Sequence, residues 1–225
     1  MIKAVVFDLD DTLISEYEYI RSGFSAVSEI FYEKYHLKIY DELLELFQQD
    51  KKYVFNRLLI KHGMETDESR ITEMVSIYHN HIPKVNYSEG VLLTLTELKN
   101  RGLKLGIITD GYYITQKNKL NVLNADEVFD KIIITDEMGR DYWKPNPKAF
   151  EIMRDYFNIQ FDEMMYIGDN PEKDFYIGGI YPVQTVRLDN HEGVYHNKEY
   201  YRDVKEKFRI NHIKELFGLL NVGTT

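Results

Sequence analysis

A chain of 225 residues that is 44% apolar and 29% charged has the composition of a soluble globular protein and the length for one large core or two unequal ones. Its formal charge of -9 disfavours a nucleic-acid backbone as the main partner, because phosphate neutralisation needs a basic face. The absence of cysteine excludes disulfides, thiolate metal sites and a cysteine nucleophile, which leaves oxygen ligands and hard cations as the natural metal chemistry.

In chain order, Met1-Ile2-Lys3 leads directly into the apolar run Ala4-Val5-Val6-Phe7, which reads as a buried strand rather than as a signal peptide. No apolar run approaches the roughly 18 residues that span a bilayer. The expectation is therefore a cytoplasmic protein with no membrane partner. The strand breaks off into Asp8-Leu9-Asp10-Asp11-Thr12. Side chains two apart on an extended chain share a face, so Asp8 and Asp10 can converge on one point, where their repulsion calls for a cation or a shared proton.

From Ser15 to Ile82 the pattern turns helical. Ile20, Phe24, Val27, Ile30 and Phe31 recur at three- and four-residue spacing. Leu43, Leu44, Phe47, Val54, Leu58 and Leu59 continue it as a second helix ending near His62-Gly63, and Asp67 to His81 gives a third. His79 and His81 have no third ligand at zinc-like spacing and are read as packing or surface residues. This insert, residues 15–82, interrupts a core of residues 1–14 and 83–225.

After Pro83 the chain alternates in βα units: a helix Val91 to Lys99, a strand Leu103 to Ile108, a helix Thr115 to Leu123, a strand Lys131 to Ile134, a helix Pro147 to Phe157, and strands Met164 to Ile167 and Val183 to Leu188. Alternation of this kind predicts an α/β fold with a mostly parallel, Rossmann-like sheet and a site at the strands' C-terminal ends. The tail Ile213 to Leu220 is expected as a terminal helix, with residues 221–225 fraying.

Further polar words accompany these strands. Thr109-Asp110-Gly111 offers a hydroxyl and successive N–H groups to phosphoryl oxygens. Lys144-Pro145-Asn146-Pro147 sets a cation before a proline-stiffened loop. Gly168-Asp169-Asn170-Pro171-Glu172-Lys173-Asp174 supplies two more carboxylates. No Walker-type loop and no Gly-x-Gly-x-x-Gly follows a strand.

Asp8-x-Asp10-x-Thr12, Thr109, Lys144-Pro-x-Pro and Gly168-Asp169 with Asp174, in that order, resemble the four motifs of the haloacid dehalogenase-like (HAD) superfamily. The resemblance implies a Rossmann-like core with an inserted helical C1 cap at residues 15–82. It also implies a magnesium-dependent phosphomonoester hydrolase acting on a small phosphorylated metabolite through an aspartyl-phosphate. Asp8 would be the nucleophile and Asp10 the acid/base. Thr109, Asp110, Gly111 and Lys144 would hold the phosphoryl group. Asp8, Asp10 through its backbone carbonyl, Asp169 and Asp174 would form the Mg2+ site, Asp174 directly or through a water. Many family members carry Asn where this chain has Asp110, which leaves the role of that carboxylate open. A phosphomutase would share every core residue, a 2-haloacid dehalogenase would lack Asp10, and a non-catalytic binding protein would have no need of Asp8. A monomer or weak homodimer is expected.

Overall fold

The computed structural model describes residues 1–191, 193–194 and 197–221. The expected fraying of the terminus falls almost wholly outside the described residues. Two compact units emerge, Met1–Glu16 with the chain from Val85 onward, and Tyr17–Lys84.

In chain order, β1 (Ala4–Phe7) is followed by the helices α1 (Glu16–Tyr35), α2 (Tyr40–Gln49), α3 (Val54–Lys61) and α4 (Glu68–Asn80). Then come α5 (Val91–Asn100), β2 (Lys104–Thr109), α6 (Tyr113–Val122), α7 (Ala125–Val128), β3 (Lys131–Ile134), α8 (Lys148–Phe157) and β4 (Met164–Gly168). The chain closes with α9 (Ile177–Ile180), β5 (Gln184–Leu188), β6 (Phe208–Ile210) and α10 (Leu216–Asn221).

Among the described residues the first unit holds a six-stranded sheet of order β3-β2-β1-β4-β5-β6, parallel at every pairing. The position of β1 follows from its composition. Ala4, Val5, Val6 and Phe7 are wholly buried, as a central parallel strand covered on both faces requires. Its partners on the two sides are β2 and β4, so the strand order reverses there and the crevice at the strands' C-terminal ends opens beside it. The ladder runs one residue past β1, with the Asp8 N–H donating to the Ile167 carbonyl at 2.8 Å. On one face α8 lays Ala149, Phe150 and Met153 against Val6, Ile108, Met164 and Tyr166.

Two features of this unit depart from the strand-by-strand reading of the sequence. The strand β6 pairs with β5 although Phe208-Arg209-Ile210 is too short to show a period. Lys144 does not directly follow a strand, because the 3₁₀ turns Thr135–Met138 and Arg140–Tyr142 intervene after β3.

The second unit contains four helices where the sequence pattern predicted three. Phe47 and Val54 lie seven residues apart, close to two turns, so apolar spacing alone passes over the break between α2 and α3. At the break Asp50 is extended and Tyr53 is left-handed, with φ 54°. Arg57 closes the turn by donating to the Leu46 carbonyl at 2.7 Å and to the Asp50 carbonyl. Phe24 sits at the centre of the unit, with its ring 6.0 Å from Phe47, 6.2 Å from Phe55 and 5.7 Å from Tyr78. His81 is a packing residue bonded to the Ser22 hydroxyl and the Tyr78 carbonyl at 3.0 and 2.7 Å.

Arg57→Ala removes a charged donor from the Leu46 and Asp50 carbonyls, so it is expected to destabilise this unit by about 1–3 kcal/mol. A lower denaturant midpoint at unchanged slope would show it.

Candidate active site

The first unit gathers its chemical groups at the C-terminal ends of β1, β2 and β4. Asp8 is 1% exposed. Lys144, also buried, places its Nζ 2.8 Å from Asp8 Oδ1 and 2.8 Å from Asp174 Oδ1. The same ammonium donates to the Tyr166 hydroxyl at 2.8 Å, and that hydroxyl donates to Asp174 Oδ1 at 3.0 Å. Asp174 Oδ2 accepts the Asn170 N–H at 2.9 Å. Lys144 is thus clamped from one side by Asp174 and Tyr166 and presented to Asp8 on the other. Gly168 makes room for the clamp, since a Cβ there would lie 2.5 Å from Asp174 Oδ2.

The word Thr109-Asp110-Gly111 contributes differently at each position. Thr109 is fully buried, and its hydroxyl accepts from Gln116 Nε2 at 2.6 Å. Asp110 engages its carboxylate with its neighbours: Oδ1 accepts from the Thr135 hydroxyl at 2.7 Å and the Lys144 N–H at 3.1 Å, while Oδ2 faces Lys173 Nζ at 3.3 Å. Burial works against ionisation of this carboxyl, but Lys144 and Lys173 overcome it and hold it below the ordinary aspartate range. Gly111 has φ +126°, a conformation glycine adopts without strain.

Asp10 lies apart from Asp8 in its surroundings. Its Oδ1 is 2.7 Å from Lys119 Nζ and its Oδ2 accepts from Gln116 Nε2 at 2.9 Å. Lys119 also meets Glu16 Oε2 at 2.8 Å. Burial would raise the Asp10 carboxyl, but Lys119, Glu16 and Gln116 hold it below its ordinary range. Glu16 is pushed the other way, to about 8, by burial and by the Asp10 charge. The pair therefore keeps a proton between its two carboxyls near neutral pH. Asp11 shapes the loop that carries these groups: with φ 53°, it accepts the Glu16 N–H at 3.0 Å and the Val194 N–H at 2.6 Å.

Carboxylate oxygens of Asp8, Asp169 and Asp174 lie within 4.8 Å of one another. Asp169 Oδ2 is buried with no hydrogen-bond partner among the described residues. Burial and the neighbouring Asp174, Asp8 and Asp11 drive its carboxyl well above the ordinary range. Around this point Asp8, Asp110, Asp169 and Asp174 face Lys144 and Lys173, which leaves two negative charges in excess when all four acids are ionised. An all-oxygen donor set with an orphaned carboxylate and that excess fits a hard divalent cation. The Asp10 carboxylate is not in the trio, because Lys119 and Gln116 hold it, so only its backbone carbonyl could serve the same ion.

Tyr166, Gln116, Lys119, Glu16 and Lys173 escaped the sequence reading. Gln116 and Lys119 are three residues apart on α6 and share a helix face. Two polar residues on the side that should have been apolar were the available signal. Tyr166 offered a phenol inside an otherwise apolar strand.

Protons and a cation compete for this trio. Burial pushes the Asp8 carboxyl from 3.8 up to about 6, so the metal-free fold loses stability as pH rises through that interval and the buried carboxyl must ionise. A cation that binds the ionised trio recovers the loss. Magnesium is expected to raise the unfolding temperature of the metal-free protein more at about pH 8 than at about pH 5. Equal shifts at both pH values would contradict a site built on these carboxylates.

Comparison with known proteins places this chain in a family. A family model for haloacid dehalogenase-like hydrolases matches residues 5–187. A glyceraldehyde 3-phosphate phosphatase from Methanocaldococcus jannaschii is 30% identical over 229 residues, 98% of this chain and 97% of its own. The pyrophosphatase PpaX of Halalkalibacterium halodurans is 34% identical over 175 residues, 75% of each chain. Among solved structures, the magnesium-bound HAD hydrolase YfnB from Bacillus subtilis shares the fold with a TM-score of 0.68 over 98% of this chain and 99% of its own, at 18% identity. The chain belongs to the haloacid dehalogenase-like hydrolases.

Proposed function

We propose that the protein is a magnesium-dependent phosphatase of small phosphorylated metabolites, with Asp8 as nucleophile and Asp10 as general acid and base. The observation that carries this reading is the contrast between the two carboxylates. Asp8 is buried against the Lys144 ammonium as one member of an acidic trio, whereas Asp10 lies outside the trio with its own cation and amide. Two carboxyls in separately tuned environments are suited to two roles.

An Asp8 oxygen attacks phosphorus, and the bond to the leaving oxygen breaks with its electron pair on that oxygen. Asp10 gives the leaving oxygen the proton that it shares with Glu16. In the second half, water attacks the phosphorus of the aspartyl-phosphate, the bond to Asp8 breaks, and the water's proton returns to Asp10. Lys144 and the Thr109 hydroxyl stabilise charge on the transferring group, with Asp174 and Tyr166 keeping Lys144 in place. Asp8, Asp169 and the Asp10 carbonyl would hold magnesium, which when bound offsets the repulsion between carboxylate and phosphoryl group. The partners of both Asp174 oxygens favour an anchoring role over direct ligation.

The helical unit Tyr17–Lys84 has none of the chemical words, and we assign it the cap's part of selecting among leaving groups. The glyceraldehyde 3-phosphate phosphatase that matches nearly the whole chain makes triose phosphates the first substrates to test, with inorganic pyrophosphate as a second arm.

Purified protein with magnesium is expected to release phosphate from an aryl phosphate and from at least one metabolite of such a panel. Asp8→Asn should lower turnover by at least about 1,000-fold while leaving the fold intact. Near-normal turnover by folded Asp8→Asn protein would remove the covalent mechanism.

A further inference from the structure

The buried ammonium of Lys119 has no part in any of the motifs, and it is 1% exposed. Burying a charge this completely is costly unless its partners are fixed. Here they are: Asp10 Oδ1 at 2.7 Å and Glu16 Oε2 at 2.8 Å. Gln116, equally buried, spends one amide on two acceptors, Asp10 Oδ2 at 2.9 Å and the Thr109 hydroxyl at 2.6 Å. Each oxygen of the Asp10 carboxylate therefore has one donor from α6, and the same helix fixes the Thr109 hydroxyl.

We infer that Lys119 and Gln116 are positioning residues that aim the Asp10 carboxyl at the leaving-group oxygen. This rests on Asp10 being the general acid and base. Asp10 lies beyond β1, where an isolated bridge to Ile14 holds its backbone but not its carboxylate, and its side chain remains 20% exposed. A carboxylate on such a loop can rotate toward water. Two donors, one per oxygen, remove that freedom, and both come from one face of a helix packed in the same unit. Glu16 hydrogen-bonds the same carboxyl, so Asp10 is confined to one orientation. General acid catalysis depends on that confinement, because a proton delivered off-line does not reach the departing oxygen.

A role in aiming the acid differs from a role in holding the fold by its dependence on the leaving group. An aryl oxide departs with little help from a proton, whereas an alkoxide needs it. Lys119→Met is therefore expected to slow hydrolysis of an alkyl phosphate such as glycerol phosphate about 10- to 100-fold more than that of p-nitrophenyl phosphate. Gln116→Leu should shift the ratio in the same direction and by less. Lys119→Arg should recover part of the alkyl rate, since a cation is restored. In the Asp10→Asn background, adding Lys119→Met should produce little further change in the ratio, because both act through one group.

Asp10→Asn itself must shift the alkyl-to-aryl ratio. If it does not, the acid/base reading of Asp10 fails and the inference falls with it. If Asp10→Asn shifts the ratio while folded Lys119→Met and Gln116→Leu slow both substrates equally, Asp10 keeps its role and the positioning inference alone is overturned. Should Lys119→Met not fold, Gln116→Leu and Lys119→Arg decide the question, as each leaves a cation opposite Glu16 and Asp10.

Discussion

The first unit's chemistry depends on the ammonium of Lys144, held 2.8 Å from both Asp8 and Asp174 with no exposure to water. Breaking a buried pair of this kind by removing one partner costs about 3–5 kcal/mol, because the remaining charge is left uncompensated. The surrounding features meet that constraint one after another. Tyr166 gives the ammonium a further acceptor, the Asn170 N–H fixes the far oxygen of Asp174, and Gly168 vacates the volume that Asp174 occupies. Asp110 then anchors the Lys144 backbone through its N–H and is itself balanced by Lys173. That arrangement accounts for a carboxylate where a neutral amide is common: its charge is spent on lysines and on Thr135 rather than directed at a phosphoryl group.

A second cation divides the acids into two sets. Lys119 draws Asp10 and Glu16 together, while Asp8, Asp169 and Asp174 stay around the excess negative charge. Without this division, Asp8 and Asp10, two residues apart beyond β1, would share a single field and titrate as one group. With it, Asp8 is raised to about 6 and Asp10 is lowered. In metal-free protein these directions suit a nucleophile awaiting a cation and an acid/base group whose companion Glu16 stores a proton.

The parts of this arrangement that lie at strand ends were legible in the sequence, because an apolar run stopping at Asp8, Thr109 or Asp169 marks both the strand and the edge where its polar group emerges. The parts carried inside elements were not. Lysine is ordinarily a solvated surface residue, so a polar pair on the inward side of α6 was a weak signal, and the burial of Lys119 is decided by acids more than 100 positions away in the chain. Tyr166 sits in a strand whose apolar neighbours hide its hydroxyl. The break between α2 and α3 was invisible for a geometric reason, since a gap of seven residues preserves helical phase, and β6 was missed because three residues cannot display alternation.

The covalent role of Asp8 is tested most directly by acid-quenching the enzyme within its first turnover and mapping the phosphoryl group on its peptides, in wild type and in Asp10→Asn. The geometry predicts a phosphoryl group on the peptide carrying Asp8, present at higher occupancy in Asp10→Asn, where its hydrolysis has lost the base. A phosphoryl group on another residue, or none on Asp8 in an Asp10→Asn enzyme that still turns over, would contradict it.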